Sequence, residues 1–263
     1  MIDWRHWHNE PFLTGGLILA GWLYAILAGP LRARLAPGQP YPRAKAALFY
    51  AALALFYLAV GSPLDQVGER FLLSAHMVQH LVIMYPAPLL ILLGTPSWMV
   101  DPVLSLRPLR TPLRMLLHPV TCGVVSVGVI SIWHAPFLYE WTLQDKLAHV
   151  GEHLMFLAVS LLYWWPLASP SLAFPAPGYG ARMLYVFGTE VGMIPVSAYV
   201  VFSRDILYPT YEYAPRLVAW LTPADDQLLA GITMKFVGMA VSMAALAVCF
   251  FKWSKSSEKQ SPG

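Results

Sequence analysis

FLLSAHMVQHLVIMYPAPLLILL, residues 71–93, decides the fold class. The run contains no charged side chain, and a helix needs roughly 17–25 mostly apolar residues to cross a bilayer. Two histidines and a glutamine lie in its first half, and Pro86 and Pro88 follow further along. The rest of the chain points the same way. Of 263 residues, 57% are hydrophobic and only 12% charged, against about 25% charged in an ordinary soluble domain. Six further runs are long and apolar enough, or nearly so: 12–29, 46–61, 119–137, 147–167, 181–203 and 228–251. The pattern predicts an all-α integral membrane protein, a seven-transmembrane helix bundle forming a single polytopic membrane domain over residues 1–263. Pro86 and Pro88 in the third run and Pro195 in the sixth predict kinks or local unwinding. The opening MIDWRHWHNEP is not basic, and no small-residue cleavage site follows, so the first run reads as a retained helix. There is no internal repeat or low-complexity tract.

Lysines and arginines set the expected orientation. Arg32, Arg34, Arg43, Lys45, Arg107, Arg110, Arg114, Arg182, Lys252, Lys255 and Lys259 fall in one set of connections. Arg5, Arg70, Lys146, Arg204 and Arg216 fall in the other, and Lys235 lies inside the last run. The bias of eleven to five places the amino terminus outside and the carboxyl terminus in the cytoplasm. Nucleic acid is not an expected partner; the lipid bilayer is.

This orientation sorts the eight histidines. His76 and His80 occupy the outer turns of the third helix, His134 the outer end of the fourth, and His149 and His153 the outer start of the fifth. His6 and His8 belong to the external tail and read as tail residues rather than ligands; His118 alone is on the inner side. Residues at i and i+4 share a helix face, and each pair is separated by about 6 Å of rise. Imidazole is the commonest metal-binding side chain, and ionisable groups within a membrane segment point to function. The expected metal ligands are therefore His76, His80, His149 and His153, with His134 and Met84 beside them. Thioether with imidazole suits Cu(I). Gln79 and Glu152 are placed to orient imidazoles from behind the ligands. Asp226, Gln227 and Met234 approach the same level on the last helix, and Glu190 and Met193 lie deeper. Lys235 either snorkels outward or pairs with Glu190. Trp133, Trp141, Trp164, Trp165 and Trp253 read as interfacial anchors. Cys122 and Cys249 are remote from the histidines and carry no assigned role.

Several blocks together resemble a known family: HMVQHLVIMYPAPLLILLGTP (76–96), WHAP (133–136), HVGEHLMF (149–156) with WWP (164–166), and DQLLAGITMKFVG (226–238). They are similar to the CtaG-type cytochrome c oxidase assembly factors, caa3-type, which are seven-helix proteins of the bacterial inner membrane. The resemblance covers most of the chain from about 60 to 250, and HMVQH is its most specific part. It implies a role in maturing haem–copper oxidase by supplying copper to the oxidase's copper centre. It also implies oxidase subunits as partners and a soluble copper donor upstream. Carried over residue by residue, the site would comprise His76, Gln79, His80, His134, His149, Glu152, His153, Asp226 and Gln227. An unrelated single-span copper chaperone shares the name CtaG but uses paired cysteines, which this chain lacks.

Three functions remain open on the residues alone. The first is a non-catalytic, copper-holding assembly factor. The second is a zinc-dependent membrane hydrolase, since H-x-x-E-H at 149–153 spells a zinc-protease signature with Glu152 as general base. The third is a bis-histidine haem protein, which the doubled i,i+4 spacing fits less well. The 204–226 connection, with YPTYEYAPRLVAWLTP, is placed to lie over the histidines or to dock on the oxidase.

Overall fold

A computed structural model describes residues 5, 7 and 10–258; His6, His8 and Lys259 lie outside the described residues. Every regular element among the described residues is a helix: α1 (Pro11–Ala28), α2 (Arg32–Leu35), α3 (Arg43–Gly61), α4 (Pro63–Arg70) and α5 (Leu73–Met84) come first. Then follow α6 (Pro86–Gly94), α7 (Ser97–Leu104), α8 (Arg107–Leu116), α9 (Pro119–Trp133) and α10 (Pro136–Gln144). The remainder are α11 (Lys146–Ala168), α12 (Tyr179–Gly192), α13 (Ile194–Phe202), α14 (Pro209–Glu212) and α15 (Pro223–Glu258). Six helical stretches are long and apolar enough to cross a membrane: α1, α3, α5 with α6, α11, α12 with α13, and α15. The count becomes seven if α8 and α9, bent by 67° at their junction, form one span.

The expected kinks fall where proline removes a backbone donor. The third run breaks at Tyr85 between α5 and α6, and the sixth at Met193 between α12 and α13. A proline nitrogen cannot bond the carbonyl four residues earlier, so Pro88 orphans the Met84 carbonyl. Trp164 mends the gap, its indole N–H donating to Met84 O at 3.0 Å. Trp164 is accordingly buried, not an interfacial anchor, because its ring is needed inside the bundle. The helix at 119–137 is shorter than expected and ends at Trp133, because Pro136 starts a new helix and His134 caps the old one. The second run is longer than expected, reaching back to Arg43.

Helix α11 is central, packing against α5, α6, α9 and α10, while α15 packs against α5, α12 and α13. A core of Phe56, Val60, Ile83, Ala87, Ile130, Phe156 and Val159 joins α3, α5, α6, α9 and α11. A second core of Leu73, Met77, Tyr139, Tyr208, Tyr211 and Ala230 lies beside it. Removing these apolar groups from their surroundings leaves the bundle with many outward-facing large hydrophobics, among them Phe12, Leu184, Phe187 and Phe202, as a lipid-facing surface requires.

Candidate metal centre

The neighbouring placement of α5 and α11 brings the two histidine pairs together. His76, His80, His149 and His153 are all buried, and His134 joins them from the end of α9. Ring centroids lie 4.3 Å apart for His76–His80, 4.1 Å for His149–His153, 5.4 Å for both His76–His149 and His80–His153, and 6.2 Å for His80–His134. Phe156 forms the floor, its ring 4.7 Å from His80 and stacked on His134 at 6.2 Å. Tyr139 covers His76 from the opposite side at 5.2 Å.

Within this cluster, one donor atom from each of His76, His149, Glu152 and His153 lies within 4.8 Å of every other. That spacing is close to what a single ion between them would need. Glu152 is fully buried, with a carboxylate oxygen 3.9 Å from both His80 Nε2 and His149 Nδ1. It stands among the donors themselves rather than behind them, because the i+3 position on α11 turns it toward the same centre as His149. His149 also faces Asp65 at 3.6 Å and Glu69 at 3.2 Å from α4, a second group of possible donors.

The hydrogen bonds assign the tautomers of His76, His80 and His134. Tyr211 donates its hydroxyl proton to Gly68 O at 2.7 Å, and burial holds the Tyr211 phenol far above its ordinary range, so it keeps that proton. The 2.9 Å contact with His76 Nδ1 must then be donated by His76, which leaves a lone pair on His76 Nε2. That lone pair accepts from His80 Nε2 at 2.9 Å, so His80 Nδ1 carries the next lone pair. His134 Nδ1 donates to Ile130 O at 2.7 Å, freeing His134 Nε2. Among the described residues, His80 Nδ1, His134 Nε2, His153 Nε2 and both ring nitrogens of His149 are buried without a hydrogen-bond partner. Buried polar atoms are ordinarily satisfied. Buried imidazole nitrogens without a partner are free to serve as metal ligands.

The other expected residues act at one remove. Gln79 donates to Asp65 at 2.5 Å and so reaches His149 through that carboxylate. Asp226 accepts from Leu73 N at 2.6 Å, from Ser74 N at 3.2 Å and from the Ser74 hydroxyl. It caps the amino-terminal end of α5 from another helix. Gln227 accepts from Leu207 N at 2.8 Å and donates to Asp205 O at 3.2 Å, holding the 203–208 segment in place. Met84 stands outside the four-donor group and instead lines a cleft on the α13 and α15 side of His80 and His134.

Sequence reasoning missed Asp65, Glu69, Tyr139, Tyr208 and Tyr211. The signal for the first two was DQVGER just before the third run, with carboxylates at i and i+4. The tyrosines carry no periodic signal. The connection over residues 203–222 does lie against the cluster, since Tyr208 donates to His134 O at 2.9 Å and Tyr211 contacts His76.

Compared with known proteins, the chain matches no curated protein and no solved structure. A family model described as the cytochrome c oxidase caa3 assembly factor matches residues 22–256. That match spans the histidine cluster and every helix from α3 to α14, so the chain belongs to the cytochrome c oxidase caa3 assembly factor family.

Proposed function

We propose that this assembly factor takes up copper at the histidine cluster and delivers it to the copper centre of a haem–copper oxidase. Orientation follows from the basic residues: seven spans in the bacterial inner membrane, the amino terminus outside, and the cluster just beneath the outer surface. The observation that carries the reading is the convergence of five buried imidazoles from α5, α9 and α11, four of them with ring nitrogens that have no hydrogen-bond partner. Imidazoles suit copper and zinc alike. The oxidase-assembly family and the thioethers beside His80 weigh toward Cu(I) as the cargo. A soluble donor loads the ion from outside, and ligand exchange passes it on. The protein has no catalytic role in this reading.

The test is the metal content of protein purified anaerobically under reducing conditions. Copper is expected in the wild type, and its nitrogen-bound fraction should be lost in His76→Ala and His153→Ala. Deleting the protein from its host should abolish oxidase activity while other respiratory steps continue. Copper binding at wild-type level in both variants would sink the reading.

A zinc hydrolase remains the second reading, because Glu152 and its flanking histidines match the protease spelling. Glu152 stands among the donors in the structure, which weighs against its acting as a free base. Zinc in the purified protein, with a hydrolytic activity abolished by Glu152→Gln, would favour this alternative.

A further inference from the structure

The cluster continues past His80 and His134. Both rings line a narrow cleft together with Met77, Met84, Met193 and Met234, which come from α5, the α12–α13 break and α15. Methionine in a core is ordinarily a gap-filler. Filler, however, is surrounded by satisfied neighbours, and here two of the lining residues carry a ring nitrogen without a partner. His134 is 2% exposed, its Nδ1 is tied to Ile130 O, and its Nε2 has no partner among the described residues. His80 Nδ1 is in the same state. The far end of the cleft is formed by Glu190, which is already bonded to Lys235 at 2.5 Å and to Ser242 at 2.8 Å. That carboxylate is neutralised, so the cleft presents nothing to a hard cation.

We propose that this cleft is a second cation site, specific for a soft monovalent ion such as Cu(I), held by His134 Nε2 and the thioethers of Met84, Met193 and Met234. The inference rests on the copper-holding reading above and assigns the route by which the ion leaves the histidine group. Three imidazoles and a carboxylate accept Cu(I), Cu(II) or Zn(II); thioethers select the soft ion. His80 borders both sites, so transfer is a ligand exchange in which one imidazole bond breaks as one thioether bond forms. Copper's oxidation state does not change. The cleft thereby admits only reduced copper to the delivery step.

The full-length protein in detergent is loaded anaerobically with Cu(I) and, separately, with Ag(I) and Zn(II), and read by metal stoichiometry and X-ray absorption. The wild type is expected to show sulfur scattering with Cu(I) and Ag(I) but none with Zn(II). Met84→Leu/Met193→Leu/Met234→Leu keeps the bulk and removes the three thioethers; it should lose the sulfur signal and about one equivalent of Cu(I), with Zn(II) binding unchanged. His134→Gln should weaken the sulfur-bound Cu(I) as well. An unchanged sulfur signal in the methionine variant, or a wild type with only nitrogen and oxygen neighbours, overturns the second site. His76→Ala/His153→Ala separates the two claims. Loss of the nitrogen-bound ion with the sulfur-bound ion retained supports both sites. Copper binding at wild-type level in that variant removes the histidine reading and leaves the cleft standing.

Discussion

Tyr211 does for His76 what no residue of α5 can. Its hydroxyl is used up on the Gly68 carbonyl, so it can only accept from His76 and thereby fixes which ring nitrogen faces the cluster. Groups that orient a ligating histidine typically change metal affinity about 10–100-fold when removed. Tyr211→Phe should weaken metal binding by about that factor while the far-ultraviolet circular dichroism stays at wild-type intensity. Competition titration against a chelator of known affinity measures it, and an unchanged affinity would show that the tautomer is set elsewhere. At this scale the histidines were legible because i,i+4 spacing is written in the sequence and seven charge-poor runs limit where they can go. Tyr211, Tyr208, Asp65 and Glu69 were not, because loops and a short helix bring them to the cluster, and such contacts leave no period to read.

Asp226 shows how one element can terminate another. The amino-terminal N–H groups of α5 have no intrahelical acceptors, and its own preceding residue, Leu72, offers no side-chain cap. Asp226, from the first turn of α15, supplies the carboxylate for Leu73 and Ser74, three and two residues before His76. Losing a cap costs roughly 1–2 kcal/mol. Asp226→Ala should therefore lower stability by about that amount, seen as a lower midpoint of thermal unfolding in detergent, and should weaken metal binding as well. Wild-type values for both would remove Asp226 from any positioning role. The helices themselves were largely readable: proline marks the breaks at Tyr85 and Met193 because it lacks the donor that would continue the ladder. Helix ends were less so. The last span, expected over 228–251, extends over Pro223–Glu258, since polar residues at both ends continue the helix beyond the apolar part that hydropathy detects.

For the whole molecule, the decisive quantity is which end of the bundle faces which compartment. In the proposed orientation, α8 and the end of α15 lie on the cytoplasmic side and the segment carrying α14 on the other. Cysteine substitutions at Ser105 and Ser257 should react with a membrane-impermeant maleimide only after the membrane is opened, whereas Thr210→Cys should react in intact cells. The reverse labelling would put the cluster on the cytoplasmic side and exclude loading from outside. The bond between His76 Nε2 and His80 Nε2 bears on what happens after loading. Any ion that claims the His76 lone pair must first evict a neighbour's proton, and that proton slides back when the ion departs. Under the proposed function, unloading is thus assisted from within: the departing ion's place on His76 is retaken by a neighbouring ring, which favours a shuttle over a vault.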